Sequence, residues 1–331
     1  MAVKTWSTPV SGEETRSVPC TLCGAVQTRP HLNCGGFAYV RCVRCGLVRV
    51  NPQPSPASIA ARYGPGHGKE YLAYERANEA AFLRLQELAL ADAGFFELER
   101  TLLAPGGNVP ATEAPGSWVA AIVDSRDPAA AVPAGGAAGF PGVPAPAVLD
   151  IGCATGALLA GLKNRGWAAQ GVELSEQQAA YCGSRGLDVA AGTVEQRRFP
   201  GGRFDAVLAS HLIEHLNDPG SFVREVHRIL KPGGRFYVTT PNIAGFQARL
   251  FGSRWRSAIF DHLYLFSVKT LRSLLETCFS GREPGFTVER VRTWGGLAAG
   301  IAPLPVKTFF DKAVKRFGLG DVMILRAVKP A

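Results

Sequence analysis

The spacing of apolar and polar positions changes character several times along the chain. In Val148–Gly156, VLDIGCATG, a short apolar run (Val148, Leu149, Ile151) has the composition of a strand buried on both faces. Gly152 and Gly156 then let the backbone turn tightly and approach a ligand, and a helical stretch follows over Ala157–Arg165. Strand-like runs recur at Gly171–Leu174, Arg203–Ser210 (RFDAVLAS), Arg235–Thr240 (RFYVTT), Phe286–Val291 and Asp321–Val328. Between them Pro219–Leu230 places Phe222, Val223, Val226 and Ile229 on one helical face, with Asp218 as its N-cap. These are the elements of an α/β domain built around a glycine turn.

Upstream the pattern differs. Residues 1–18 show no periodicity and are expected to be a flexible lead. From Glu70 to Leu103 apolar residues return at helical spacing (Leu72, Phe82, Leu85, Leu88, Phe95), which predicts one or two helices forming a lid over 57–103. Residues 104–146 turn to Pro, Gly and Ala with few charges, a low-complexity insertion in which Trp118–Val123 is the one candidate strand. Asn51–Pro56 (NPQPSP) has the composition of a stiff connector. Near the end, Pro303–Gly318 sets Val306, Phe309, Phe310, Ala313 and Phe317 against Lys307, Lys312, Lys315 and Arg316. Such a helix either packs on its own protein or lies on an anionic membrane surface.

Composition narrows this little. The 331 residues are 47% hydrophobic, ample for a core, and the formal charge of +9 permits nucleic acid, anionic lipid or phosphorylated partners without choosing among them. No apolar run has membrane-spanning length and the first residues lack a signal-peptide core, so a cytoplasmic location is expected.

The cysteines carry the first chemistry. Cys20-Thr-Leu-Cys23 and Cys42-Val-Arg-Cys45 are two C-x-x-C pairs separated by a span within the roughly 15–20 residues of a zinc ribbon, here placed at 19–56. Gly24 and Gly46 follow the second cysteine of each pair and let the backbone fold back toward sulfur. Four thiolates close a coordination sphere, which points to a structural Zn2+. Disulfides or redox pairs are the alternative. His31 and Cys34, between the pairs, are expected in a solvent-facing loop, and Cys153, Cys182 and Cys278 as packed small hydrophobes.

The glycine turn indicates a nucleoside cofactor. Positions 152, 154 and 157 hold Gly, Ala and Ala, a poor match to a dinucleotide fingerprint. An acid at the strand end followed by small residues at every second position (Asp150, Gly152, Ala154, Gly156) resembles motif I of class I S-adenosylmethionine (SAM) methyltransferases. Glu173 ends a strand about 20 residues later, as a ribose-binding acid would. Arg203–Ser210, Lys231-Pro232-Gly233-Gly234, Thr240-Pro241-Asn242 and His262–Ser267 follow in that family's order. With the cysteine pairs, the chain resembles bacterial zinc-ribbon methyltransferases over about residues 20–60 and 147–300.

The resemblance implies a Rossmann-like sheet with helices on both faces over 147–331, plus the small N-terminal ribbon. It also implies SAM contacts from Asp150, Gly152, Cys153, Gly156, Glu173, Leu174, Val194, Glu195 and Ser210, and a small-molecule acceptor, phosphorylated or nucleotide-linked sugars included, methylated at carbon or oxygen. His215 is the expected base, with His211 and Glu214 as partners, or all three brace the turn. Tyr71, Arg254, His262 and Tyr264 are candidate acceptor contacts; Tyr63 and Tyr74 share the lid with Tyr71. Residues 211–215 also spell H-x-x-E-H, a zinc-peptidase pattern that needs a regular helix. The ubiquinone-pathway O-methyltransferases that this block resembles carry acid-x-x-acid-His, and His211 replaces the first acid, which weakens the case for magnesium. A zinc-ribbon rRNA methyltransferase and a non-catalytic binding module are the rival functions.

Overall fold

The computed structural model describes residues 14–34, 37–62, 65–103, 144–259, 261–279, 284–295 and 311–331. It divides into two compact units, each made of several chain segments. The first comprises Met1–Arg62, His211–Arg224 and Val238–Ala327; the second comprises Tyr63–Ser210, Glu225–Tyr237 and Val328–Ala331. The proposed insertion 104–146 and its candidate strand fall almost wholly outside the described residues, as do Tyr63 and residues 303–310.

A seven-stranded sheet has the order β12-β13-β10-β9-β6-β7-β8. Its strands are β6 (Ala147–Ile151), β7 (Ala168–Glu173), β8 (Val189–Ala191), β9 (Phe204–Ser210), β10 (Leu230–Pro241), β12 (Thr287–Trp294) and β13 (Val322–Val328). β6 pairs in parallel with β7 and with β9, and β7 with β8, which sets Asp150 opposite Gly171 and Leu208. Parallel neighbours bury both faces, and Val148 and Leu149 are fully enclosed.

In the second unit, helices cover this parallel core: α2 (Pro65–Ala93), α3 (Phe95–Leu103), α4 (Ala157–Asn164) and α5 (Glu176–Ser184). The span 57–103, expected as one or two helices, holds three: α1 (Pro56–Arg62), α2 and α3, the last two separated at Gly94 with φ 78°. Phe95 stacks on Trp167 and meets Tyr237 edge-on. Cys153, Leu159, Ala160, Cys182 and Leu187 form one cluster behind the glycine turn, so Cys153 and Cys182 do pack as small hydrophobes. That packing is why position 156 must be glycine: a Cβ there would stand 2.5 Å from Leu187 Cδ1 and 3.0 Å from Cys182 Sγ.

The first unit holds an antiparallel sheet of order β11-β4-β3-β2, made of β2 (Thr28–Cys34), β3 (Phe37–Cys42), β4 (Val48–Val50) and β11 (Tyr264–Leu265). Tyr39, Val48, Val50, Trp255 and Leu265 share its core. His31 and Cys34 are not loop residues but half-buried members of β2; Cys34 donates to the Ala258 carbonyl at 2.6 Å, and His31 sits 3.1 Å from Arg41. β1 (Thr15–Arg16) pairs with β5 (Gln53–Pro54), so part of the expected lead and connector is a two-stranded ladder, held also by Val18 N to Asn51 Oδ1. α7 (Pro219–Ile229) starts as expected, with Ser221 N donating to Asp218 Oδ1. Of the basic helix, 311–316 is described; Val314 is buried and Phe317 exposed.

Ala154 has φ 49°, a left-handed conformation that a Cβ disfavours by about 1 kcal/mol. Ala154→Gly is therefore expected to raise the unfolding free energy by roughly 1 kcal/mol at most, since glycine also enlarges the unfolded ensemble; a denaturant titration measures it.

Candidate functional site

The turn after β6 alternates its backbone: Gly152, Ala154 and Gly156 all have positive φ, and Gly156 is the left-handed residue on which α4 starts. This is the every-second-residue pattern of small side chains in the sequence. Glu173, at the end of β7, closes the turn from the side. Its Oε2 accepts from Ala154 N and its Oε1 from Ser175 N, both at 3.0 Å.

Asp150 and Glu173 are both buried and close enough to repel. Burial, with Glu173 beside it, pushes the Asp150 carboxyl up to about 7, and burial likewise raises Glu173. Glu75 on α2 joins them: burial pushes it up to about 7, against a hydrogen bond from Tyr71 and with Glu173 and Glu79 adding repulsion. The sequence offered Tyr71 and passed over Glu75, although the two stand four apart on a helix and so share a face. Three carboxylates that resist ionisation together are relieved by a cationic ligand, and the sulfonium and ammonium groups of SAM fit that charge.

The other expected cofactor contacts are dispersed around this centre. Leu174 keeps 37% of its surface exposed, an apolar flank beside Glu173. Val194 is buried at the start of α6 (Val194–Arg197), which Thr193 and Gln196 close with a reciprocal capping box, while Glu195 is exposed. Cys153 presents its backbone only. Ser210, half-buried, ends β9. At the other end of that strand Asp205 accepts from Ala147 N and from Lys231 Nζ, so it clamps the sheet.

In the first unit the chain leaves β9 through His211, whose φ is 52°, and makes a single 3₁₀ turn over Ile213–His215. A peptidase motif would need His211 and His215 on one regular helix, and the left-handed residue prevents it. Instead Glu214 is fully buried. Its Oε2 accepts from Thr240 Oγ1 at 2.9 Å and its Oε1 lies 3.3 Å from His211 Nδ1. Burial alone would raise this carboxyl; His211, His215 and His262 around it outweigh that and hold it at about 2. His215 Nδ1 lies 2.9 Å from the Asp261 carbonyl, His262 Nδ1 2.8 Å from the Ser257 carbonyl, and the two rings meet edge-on at 4.7 Å. Burial drives His262 down to about 3, so it is neutral. Of the other candidate acceptor contacts, Arg254 is exposed in a 3₁₀ turn, and Tyr264 is buried in β11 with its hydroxyl on the Asn217 carbonyl.

The four ribbon cysteines converge, with their sulfurs within 4.8 Å of one another; Cys20 to Cys45 is 3.4 Å and Cys23 to Cys42 is 3.5 Å. Tetrahedral zinc, with Zn–S near 2.3 Å, sets sulfurs about 3.8 Å apart, so the cluster has the size of a metal site. Gly24 and Gly46 have φ 70° and 81°. Backbone amides of Leu22 and Cys23 point at Cys20, those of Arg44 and Cys45 at Cys42, and that of Leu47 at Cys45. Amides aimed at sulfur support thiolate ligation.

Comparison with known proteins agrees with the sequence resemblance. A family model described as a methyltransferase domain matches residues 117–278. The ubiquinone biosynthesis O-methyltransferase of Caulobacter vibrioides is 39% identical over 102 residues, covering 29% of this chain and 40% of that protein. The Pseudomonas aeruginosa (strain LESB58) enzyme of the same name is 35% identical over 103 residues, covering 29% and 44%. The chain thus spans less than half the length of these curated relatives. Solved structures give weaker likenesses: a SAM-dependent methyltransferase from Archaeoglobus fulgidus (19% identity, TM-score 0.42, 56% of this chain and 86% of that one) and another from Mesorhizobium loti (19%, 0.40, 57% and 93%). Over residues 117–278 the chain is thus similar to methyltransferase domains. No helix among the described residues is long and apolar enough to cross a membrane.

Proposed function

We propose that the protein transfers a methyl group from SAM to a small-molecule acceptor, at oxygen or at an acidic carbon. The observation that carries this is the buried pair Asp150 and Glu173 beside a turn in which Gly152, Ala154 and Gly156 are left-handed. The turn's backbone and Glu173 would hold the nucleoside, and Glu75 with Asp150 would balance its positive charge. When bound, the cofactor supplies an electrophilic methyl group. The chain's remaining work is to position the acceptor and accept its proton.

For that proton the geometry favours His211 over His215. The His211 ring is about half exposed (48%) and its Nδ1 lies 3.3 Å from the buried Glu214 Oε1, which would leave Nε2 to take the proton. His215 is half-buried, turned to a backbone carbonyl and packed on His262. His211→Gln is expected to lower kcat by about 10²–10⁴ with SAM affinity unchanged, as separate kinetic and calorimetric measurements will register.

A phosphorylated or nucleotide-linked acceptor has support from an open groove of about 660 Å3 lined by Arg292, Lys312, Lys315 and Arg316, with no carboxylate among its described lining residues. The cysteine cluster would hold a structural Zn2+, since four thiolates leave no open position. Incubating the chain with labelled SAM and a panel of nucleotide sugars and hydroxylated small molecules tests the activity. Transfer to one of them supports it, and cofactor binding without transfer to any small molecule moves the case to a macromolecular acceptor such as RNA.

Affinity for SAM should also depend on pH. Asp150 and Glu75, both lifted to about 7, are largely protonated at pH 6 and ionised at pH 8, and a cation binds the ionised form. Binding should therefore weaken about ten-fold for each group between pH 8 and pH 6, and less for the demethylated product, which lacks the sulfonium charge. Calorimetry at the two pH values with both ligands measures the difference.

A further inference from the structure

We propose that the first unit holds a site for a phosphate monoester, in a cavity of about 420 Å3 between the cysteine ribbon and the short helix α8 (Phe246–Phe251), with Arg41, Arg249 and His31 holding the phosphate. The cavity has the size of a small-molecule pocket. The ribbon contributes His31, Arg41 and Gly46 to its lining, and α8 contributes Arg249. It shares no lining residue with the groove beside Arg292. β2 bulges between Pro30 and Leu32, so His31 stands outside the regular ladder. Bulges re-aim side chains and recur beside binding sites. Here the His31 ring meets Arg41, with Nε2 3.1 Å from Nη2. A guanidinium only donates, so His31 Nε2 is the acceptor and Nδ1 carries the ring proton. Burial, with Arg41 and Arg29 nearby, lowers His31, which agrees with that neutral form.

Uncompensated positive charge is what asks for a ligand. Arg29 and Arg41 are partners across the β2–β3 ladder, a like-charge pairing that costs sheet stability. Burial and Arg29 both push the Arg41 guanidinium below its ordinary value. Arg249 adds a second cation to the cavity wall, and no carboxylate stands among the described lining residues. Two guanidiniums and one neutral N–H donor match a phosphate monoester, which carries a charge of about −2 and three acceptor oxygens. A carboxylate would leave one guanidinium unbalanced. Leu32, Ile243 and Ala248, which pack in or against the core around Tyr39 and Trp255, give the organic part of the ester an apolar wall. Gly46 follows Cys45, and its N donates to the Cys42 carbonyl at 3.0 Å, so the cysteine knuckle itself shapes the cavity. The ribbon is then a ligand-recognition element as well as a fold element. This assignment does not depend on the methyltransferase reading.

The test is histidine-ring NMR on the full chain at pH 8, with phenyl phosphate as the probe and benzoate as the monoanion control. The His31 Cε1–H signal, assigned by its absence in His31→Gln, should shift and saturate with phenyl phosphate, and benzoate should need at least about ten-fold higher concentration. Arg249→Gln, at an exposed position, should weaken the phenyl phosphate titration about ten-fold or more, and Arg41→Gln likewise. Arg292→Gln should leave it unchanged, which separates this cavity from the other groove. If Arg41→Gln does not fold, Arg249→Gln decides. No His31 shift at about 10 mM phenyl phosphate, an affinity unchanged in Arg249→Gln, a titration weakened by Arg292→Gln instead, or equal affinity for benzoate would overturn the proposal.

Discussion

Glu173→Ala should weaken SAM binding by about two orders of magnitude, with little change in the sheet. The carboxylate fixes the Ala154 and Ser175 amides, and in the proposed site it would also hold the ribose. Hydrogen bonds to a charged group contribute about 1.5–3 kcal/mol each, and losing one such interaction with the ligand already corresponds to about ten- to a hundred-fold in Kd. Loss of the order imposed on the Ala154 turn adds to this. Glu173→Gln should fall between wild type and alanine, because an amide oxygen can still accept from one of the two amides. An alanine variant that binds SAM as wild type does would remove Glu173 from the cofactor site.

The second large effect is expected from Cys42→Ser. A serine hydroxyl is a poor zinc ligand, and structural zinc sites contribute about 10 kcal/mol or more to the folding of small domains. Here the loss is cushioned, since β3 and β4 also pack through Tyr39, Val48 and Val50 on Trp255 and Leu265. Destabilisation of at least about 3 kcal/mol, a fall of roughly 10 °C in the first unit's melting temperature, is expected. Addition of a strong chelator to wild type should reproduce the direction. If the variant retains a full equivalent of zinc in the cysteine cluster and an unchanged Tm, the cluster is not a structural metal site.

Much of this was legible from local sequence, and the reason is the range of the interactions. The cysteine pairs are bound by spacing, and the alternating small residues at 152, 154 and 156 are visible because each backbone conformation is local. The acid at 173 follows from the length of one β-α-β unit. Three features depend on contacts that no window shows. Glu75 meets Glu173 only because α2 folds over the parallel strands. His262 meets His215 across 47 residues of chain, and Glu214 loses its solvent only when β10 brings Thr240 beside it. Tyr264 looked available to an acceptor because aromatic residues cluster there, yet β11 pairs with β4 and its hydroxyl is taken by Asn217. Likewise His31 and Cys34 carry no strand signal strong enough to outweigh the neighbouring turn residues, and the pairing of β2 with β3 decides their place.

Equilibrium binding of SAM to the purified full chain, by isothermal titration calorimetry at pH 8, bears most directly on the claim that the turn after Asp150 grips the cofactor. A single site with Kd in about the micromolar range, weakened when either Asp150 or Glu173 is replaced, is the expected result. No heat and no thermal stabilisation at roughly millimolar SAM would contradict the account.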